Sequence, residues 1–243
     1  VTIPAALAQQ IAEALTGIAL SQLIRPGCPV VFGSFLSNID MQSGSPQFGT
    51  PESALGLLST GQIARHFGLP FRGGGGLNSS PVPDAQSGYE SLMTMMPTFL
   101  SGTNFVMHSA GWLEGGLSTG YEKLIIDADR LGSYQKLVGV GHVDDDNALA
   151  RDAYLEVEAG GHFLGSAHTM NNYSDAFYEA ELSNSDNVEN WEAEGSKDMR
   201  VRAFEKWNRM LSDYQTPPID QAKREELQAF VAKRKSELPD AWY

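Results

Sequence analysis

Cysteine and positive charge are both scarce in this sequence, and each shortage excludes a class of protein. Cys28 is the only cysteine among 243 residues, so no intrachain disulfide can form and no thiolate cluster can hold zinc or an iron–sulfur centre. The 17 Lys and Arg residues stand against 30 Asp and Glu residues, which gives a formal net charge of −13. This charge repels phosphate backbones and anionic lipid, so we expect neither nucleic acid nor a membrane as a partner. The single cysteine fits a reducing compartment, and we expect a cytoplasmic protein.

Long apolar runs and several common motifs are missing as well. No run of about twenty apolar residues occurs, and the N-terminal region lacks the basic and apolar segments of an export signal. There is no G-x-G-x-x-G turn leading into a helix, no P-loop lysine, no H-E-x-x-H and no G-x-S-x-G. The carboxylates are not grouped around the histidines, so we predict no protein-bound metal.

Short apolar segments alternate with amphipathic helices along the chain. The predicted strands are residues 29–35, 69–71, 104–107 and 163–167. Thr50 and Asp84 are predicted to cap two of the intervening helices, and the acidic triplet at 144–146 is predicted to start a helix that reaches about Val157. Strands that alternate with helices predict parallel β/α units.

The number of strands sets the expected domain organisation. Four strands are half of the eight that close a barrel of this type. We therefore expect an α/β fold of the (β/α)8 TIM-barrel type, with the C-terminal half of the barrel in residues 1–180 and a helical tail in residues 181–243. The chain begins at Val1 and enters a helix at once, which fits a piece of a longer protein.

Two histidines are predicted at the ends of strands, where barrel enzymes place their reactive groups. His108 follows the apolar residues 105–107, and His168 follows the fourth predicted strand. Either histidine is as readily explained as a structural hydrogen-bonding residue. The other three histidines, His66, His142 and His162, are interpreted as structural.

Other candidate residues lie between Gly73 and Gly116. Gly74, Gly75 and Gly76 allow a sharp bend or the close approach of a large planar group, although a plain flexible loop explains them equally well. Trp112 with Tyr89 and Glu114 could surround an ammonium group through cation–π and charge attraction, although such aromatics more often serve packing. The remaining candidates lie at the start of one helix, where an N-cap and a solvated face are the plain alternatives: Asp84, Gln86 and Glu90.

A series of motifs in order resembles the trimethylamine methyltransferase superfamily. The runs are LIRPGCPVVFGSF, SPVPDAQSGYES, HSAGWLEGGLSTGYEKLIID, HFLGSAHTMNNY and YQTPPID, together with W-x-x-x-G followed by RAFEKW. They cover nearly the whole chain. The resemblance implies the C-terminal portion of a longer (β/α)8 barrel, so the upstream strands would come from the N-terminal half of the same barrel or from another chain.

The resemblance also implies a chemistry. In this family a methyl group moves from a methylated amine to Co(I) of a corrinoid, a cobalamin-type cofactor, carried by a separate small protein. The founding trimethylamine enzymes contain pyrrolysine, whereas every residue here is standard, which implies the branch that acts on quaternary amines such as glycine betaine. His108 would then face the corrinoid and the methyl group. By resemblance the pocket residues would be Asp84, Gln86, Glu90 and Trp112. We add Tyr89, Glu114 and His168 as substrate-binding candidates from the patterns above, and Gly74, Gly75 and Gly76 as residues towards the corrinoid.

Two other functions fit the residues. One is a barrel-type lyase that uses His108 and His168 as acid and base. The other is a non-catalytic assembly fragment, in which exposed strand edges drive self-association into a homo-oligomer. The methyltransferase hypothesis requires that His108, Trp112 and the Asp84 helix start converge on one open cavity.

Overall fold

The computed structural model describes residues 2–139 and 146–238, with the side chains of residues 146 and 147 left out of the description. The helices are α1 (Ile3–Ile24), α2 (Pro51–His66), α3 (Ala85–Leu100), α4 (Tyr121–Val138), α5 (Asp146–Leu149), α6 (Ala153–Glu156), α7 (Ala167–Asn172), α8 (Val188–Ala193), α9 (Met199–Ser212) and α10 (Gln221–Glu237). The strands are β1 (Phe32–Gly33), β2 (Asn38–Ile39), β3 (Pro46–Gln47), β4 (Phe71–Arg72), β5 (Trp112–Leu113) and β6 (Ser118–Thr119). Two 3-10 helices span Glu114–Gly116 and Phe163–Gly165.

The chain divides into two compact units, Val1–Trp207 and Asn208–Tyr243. The second unit contains the end of α9 and all of α10, whose N-cap Asp220 accepts a hydrogen bond from the Lys223 N–H. The first unit contains every candidate site residue. The domain division predicted at residue 180 stays a prediction.

Three consecutive parallel segments lie side by side in the first unit. Strands β1 and β4 pair in parallel with Phe32 opposite Phe71, and Arg72 of β4 forms a parallel bridge with Phe105. Helix α2 connects β1 to β4, and α3 connects β4 to the Phe105 segment. Two successive β/α units with neighbouring strands are therefore present, as the alternation in the sequence predicted. Closure into an eight-stranded barrel stays a prediction.

The fourth predicted strand, residues 163–167, is wrong. This segment is the 3-10 helix Phe163–Gly165 followed by α7. The Ser166 hydroxyl accepts the Thr169 N–H at 3.2 Å, and the Thr169 hydroxyl donates to the Phe163 carbonyl at 2.7 Å. These local side-chain bonds cap a helix start and compete with an extended conformation. His168 consequently lies in the first turn of α7 and does not follow a strand.

The helix predicted after the acidic triplet is two short helices, α5 and α6, in the described chain. Asp144 and Asp145 of that triplet lie outside the described residues, and so does His142. Thr50 and Asp84 cap α2 and α3 as predicted, since each side chain accepts the N–H of the third residue of the helix.

The core of the parallel segments is an apolar cluster of Phe32, Ala64 and Phe71, covered on one side by α1. Helix α1 is the one helix among residues 2–139 and 146–238 that is long and apolar enough to cross a bilayer, with a mean hydropathy of 1.2 over its most apolar stretch. Its Ile11 and Ile18 pack against this cluster. These contacts cover one side of the cluster, although no residue of α1 is itself fully buried.

Candidate functional site

The site is built from two loops that follow the parallel segments. We call residues 73–80 the glycine loop and residues 108–116 the histidine loop. Backbone hydrogen bonds join them: the Glu114 N–H donates to the Ser80 carbonyl at 2.9 Å, and the Gly115 N–H donates to the Asn78 carbonyl at 2.8 Å. Both loops leave the C-terminal ends of parallel strands, which is the edge where α/β folds bind ligands.

Three glycines of the glycine loop pack so closely against their neighbours that a side chain would not fit at these positions. A Cβ on Gly76 would lie 2.5 Å from the Ser109 carbonyl oxygen, and one on Gly75, whose φ is 148°, would lie 2.7 Å from the Met107 carbonyl oxygen. A Cβ on Gly74 would overlap the Thr98 side chain. The glycines are therefore required by protein packing, and their predicted role beside a planar cofactor stays a prediction.

Glu90 holds the glycine loop in place. Its side chain is 5% exposed, and its Oε2 accepts the N–H groups of Ser79 and Ser80 at 2.8 and 3.1 Å. Its Oε1 accepts the Gln86 side-chain amide at 2.8 Å. All of these contacts are within the protein, so Glu90 orients the loop. The solvated face that the sequence left open does not describe Glu90, and its role in binding a substrate stays a prediction.

Asp84 caps α3, which was the simpler of its two interpretations. Its carboxylate accepts the Ser87 N–H at 2.9 Å and the Ser80 hydroxyl at 3.0 Å. The hydrogen bond from the Ser87 N–H is the main cause that holds the pKa of Asp84 below its ordinary value. The side chain is open to solvent, so a second role in binding a cation is compatible with this cap.

Titration of Asp84 should be visible in acid unfolding. Folding lowers the pKa of Asp84 below its ordinary value of 3.8. The stability that the carboxylate adds is therefore fully present above pH 3.8, and it is lost as the pH falls through the lower pKa of the folded state. Asp84→Asn keeps a capping side chain that cannot titrate. We expect its unfolding free energy to fall less than that of the wild type in urea titrations from about pH 5 to about pH 2. Identical acid profiles would contradict this assignment.

His108 combines an unusual backbone with an unpartnered ring nitrogen. Its φ is 58°, a left-handed conformation that is uncommon outside glycine, and its Nδ1 is buried without a hydrogen-bond partner. Its ring meets that of Trp112 edge to face, with centroids 5.4 Å apart. Native proteins rarely leave a buried polar atom unpaired, so the unpaired Nδ1 beside an aromatic ring makes His108 a candidate contact for a ligand.

The structure brings some predicted site residues together and leaves others apart. His108 and Trp112 touch in the histidine loop, while Asp84, Gln86 and Glu90 support the neighbouring glycine loop. Tyr89 is 57% exposed on α3, and the exposed Glu114 bonds Ser80 through its backbone. The prediction that His168 shares a mouth with His108 because both follow strands has lost its basis, and so has the lyase hypothesis built on the pair.

A small apolar cavity of about 60 Å³ lies beside the glycine loop. Gly74, Gly75, Phe35 and Phe48 are among the residues that line it. The expected single cavity shared by His108, Trp112 and Asp84 is not this one, because none of the three is in its described lining. The loops are joined by the hydrogen bonds between them, and a common cavity stays a prediction.

Sequence reasoning missed a buried charged cluster behind the histidine loop. Lys123 and Asp127 on α4 are 1% and 0% exposed and form an ion pair. The Arg130 Nη2 lies 2.9 Å from the Asp127 carboxylate, and the Gly111 N–H donates to the other carboxylate oxygen at 2.9 Å. Burial is the main cause that lowers the pKa of Lys123, and the charge of Asp127 opposes it.

One sequence signal could have revealed this cluster. Residues 123, 127, 130 and 134 recur at i, i+4, i+7 and i+11, which is the spacing of a helix face that packs on a core. The residues at these positions are Lys, Asp, Arg and Tyr. A stripe of polar residues is normally interpreted as a solvated face, and here it is the packed one.

Comparisons with known proteins identify the family of this chain. In the described residues two parallel β/α units carry polar loops after their strands, and the candidate site lies at the C-terminal edge of these strands. The family model for trimethylamine methyltransferase (MTTB) matches residues 1–239. The chain belongs to the trimethylamine methyltransferase family. In the described residues no group of three or more His, Cys, Asp or Glu is arranged to hold a metal ion.

Three relatives illustrate the similarity. The chain is 42% identical over 235 residues to a glycine betaine methyltransferase of Desulfitobacterium hafniense (strain Y51), covering 96% of this chain and 48% of that protein. It is 34% identical to trimethylamine methyltransferase MttB of Methanosarcina barkeri (strain Fusaro / DSM 804), covering 91% of this chain and 44% of the relative. It is 31% identical to MttB of D. hafniense (strain DSM 10664 / DCB-2), covering 98% and 47%. The chain thus spans about half the length of these relatives.

Proposed function

We propose that this protein is a methyltransferase that moves a methyl group from a methylated ammonium compound, such as a betaine, to Co(I) of a corrinoid carried by a partner protein. The observation that carries the proposal is the contact between His108 and Trp112 in a chain of this family. The Nδ1 of His108 has no hydrogen-bond partner there. A protein net charge of −13 also favours a cationic substrate over an anionic one.

The proposed substrate is a quaternary amine. Among the relatives described above, the one named for glycine betaine has the higher identity, at 42% against 34% and 31%. Every residue of this chain is a standard amino acid, which fits the branch of the family without pyrrolysine. A quaternary nitrogen already carries the positive charge that makes it a leaving group, so it needs no further activation.

In this proposal the protein binds and orients, and the methyl acceptor supplies the nucleophile. The indole of Trp112 offers a π face to the ammonium, an attraction of roughly 0.5–2 kcal/mol. His108 lies against Trp112 and can contact the substrate through its unpartnered Nδ1. The corrinoid provides Co(I), which accepts the methyl group as the C–N bond breaks. Positioning of the two reactants is then the main contribution of the protein.

The open edge of the first parallel strand, β1, is evidence that another segment packs against this chain. In the described residues β1 pairs only with β4, so its other edge is open. Val31 and Phe35, beside this edge, are 53% and 59% exposed. An open apolar edge requires a covering element, and the N-terminal half of the same barrel would provide one. We place the working protein in the cytoplasm, as a complete barrel that meets a corrinoid protein.

The test is an anaerobic assay of the full-length protein with free Co(I) cobalamin as acceptor. Glycine betaine should cause loss of the Co(I) absorbance and formation of methylated cobalamin, with dimethylglycine as the second product in equal amount. Trimethylamine in place of betaine should react much more slowly. Failure of every tertiary and quaternary amine to methylate cobalamin would overturn the proposal. Faster turnover of trimethylamine than of betaine would overturn the choice of substrate.

A further inference from the structure

A closed ring of buried hydrogen bonds surrounds the base of the histidine loop. It starts at the Gly111 N–H, which donates to Asp127 Oδ2 at 2.9 Å. The other oxygen of Asp127 accepts from Lys123 Nζ, which also donates to the Ser91 hydroxyl at 2.8 Å. The Asn78 side-chain amide donates to the same hydroxyl at 3.2 Å and to the Trp112 carbonyl at 2.8 Å. The ring therefore begins and ends on neighbouring residues of the loop.

Ser91 is the centre of this ring, and its bonding capacity is fully used. A hydroxyl accepts two hydrogen bonds and donates one. The Ser91 oxygen accepts from Lys123 and from Asn78, and its hydrogen is available to the Gly76 carbonyl at 3.4 Å. Ser91, Asn78 and Asp127 are all 0% exposed. One hydroxyl on α3 thus connects the glycine loop to α4, and Asn78 extends the connection to the histidine loop.

The charges within the ring region balance. Lys123 and Arg130 are positive, and Asp127 and Glu90 are negative, with the charge of Glu90 acting on Lys123 as well. Opposite charges offset part of the desolvation free energy of these buried groups. Even so, apolar residues of similar volume often stabilise a fold as well as a buried ion pair does, or better. An apolar helix face would pack here without the ionic groups. The polar ring instead fixes backbone atoms of residues 111 and 112.

The loop that the ring fixes is strained at the residue that matters for function. His108 and Gly111 have φ values of 58° and 85°. A left-handed histidine persists only where its surroundings hold it. The ring supplies bonds on the C-terminal side of His108, at Gly111 and Trp112, and the Gly76 N–H supplies one at the His108 carbonyl, at 2.7 Å.

We propose that Ser91, Asn78, Lys123 and Asp127 are positioning residues, which hold the histidine loop so that His108 and Trp112 face the substrate. This inference rests on the proposed function for its kinetic consequence. None of the four is proposed to touch the substrate. Loss of the ring should free the loop and slow turnover, because a small displacement of an orienting group costs far more in rate than in stability.

The test compares two changes that each remove one buried hydroxyl, the first within α3 and the second at its C-cap. Ser91→Ala breaks the ring, whereas Ser101→Ala removes a hydroxyl that donates to the Thr98 carbonyl at the other end of the helix. Amide hydrogen exchange in the full-length protein should speed up roughly tenfold at Gly111 in Ser91→Ala and stay at the wild-type rate in Ser101→Ala. In the cobalamin assay, kcat should fall about tenfold in Ser91→Ala, with a smaller change in KM.

The exchange rate at Gly111 tests whether the ring holds the loop, and the kcat tests whether the ring matters for the proposed reaction. If the wild type methylates no cobalamin, the proposed function fails, and the exchange rate at Gly111 still decides whether the ring holds the loop. Unchanged exchange at Gly111, or equal kcat values in Ser91→Ala and Ser101→Ala, would overturn the inference. Asn78→Asp provides a second break in the ring, because a carboxylate cannot donate to the Trp112 carbonyl, and the same results are expected for it.

Discussion

Replacement of His108 by asparagine should lower methyl transfer by about 100-fold or more while the protein stays folded. Asparagine tolerates the positive φ of 58° at this position better than other side chains do, so little backbone strain is added. The change removes the imidazole, its buried Nδ1 and its edge contact with Trp112. The measurement is the initial rate of cobalamin methylation, with the urea midpoint as the check on folding.

His66 provides the matched control for this change. It is an exposed histidine at the end of α2, in the same unit of the protein. His66→Asn should keep the wild-type rate of methyl transfer. A His108→Asn variant that is folded and retains more than about half of the wild-type rate would show that this ring does not orient the substrate.

Removal of Asp127 should cause the largest loss of stability of any single change discussed here. Asp127→Ala leaves Lys123 and Arg130 without the carboxylate that pairs with both, at 1% and 16% side-chain exposure. A broken buried ion pair typically costs about 3–5 kcal/mol, because the remaining charge has no partner and little water. Urea unfolding followed by circular dichroism at neutral pH measures the difference.

A double change tests how much of the stability lost in Asp127→Ala comes from the broken ion pair. Lys123→Met with Asp127→Leu removes the carboxylate together with one of its two cations, and we expect it to recover part of the stability lost in Asp127→Ala, because Arg130 and the Gly111 N–H still lose their acceptor. The exposed pair of Lys233 and Glu237 has the same spacing on α10. Glu237→Ala should therefore change the unfolding free energy by less than about 1 kcal/mol. A similar small effect for Asp127→Ala would contradict the buried cluster.

The local rules of the sequence predicted the parts of the fold that depend on neighbouring residues. The caps at Thr50 and Asp84 and the alternation around α2 and α3 are confirmed, because an N-cap and a helical period are set within a few residues. The strand predicted at 163–167 is wrong, because Ser166 and Thr169 bond the local backbone and favour a helix start. Apolar content alone does not distinguish these outcomes in a short segment.

The roles predicted for the site residues stay predictions, whereas the buried cluster behind the histidine loop was missed. Proximity of His108 and Trp112 follows from their separation of four residues in one loop after a strand. The burial of Lys123 and Asp127 depends on α4 packing against α3 and the histidine loop, which is a tertiary event that no window of sequence contains. The hydrogen bonds that Glu90 accepts from Ser79 and Ser80 were missed for the same reason, since these partners lie across a turn.

The central claim is that the histidine loop forms the contact surface for a methylated ammonium group. A crystal structure of the full-length protein with bound glycine betaine tests it most directly. We expect the methyl groups of glycine betaine to lie against the Trp112 ring and His108 to contact the same molecule. Density for the ligand at another place, with His108 and Trp112 unchanged and untouched by it, would contradict the account.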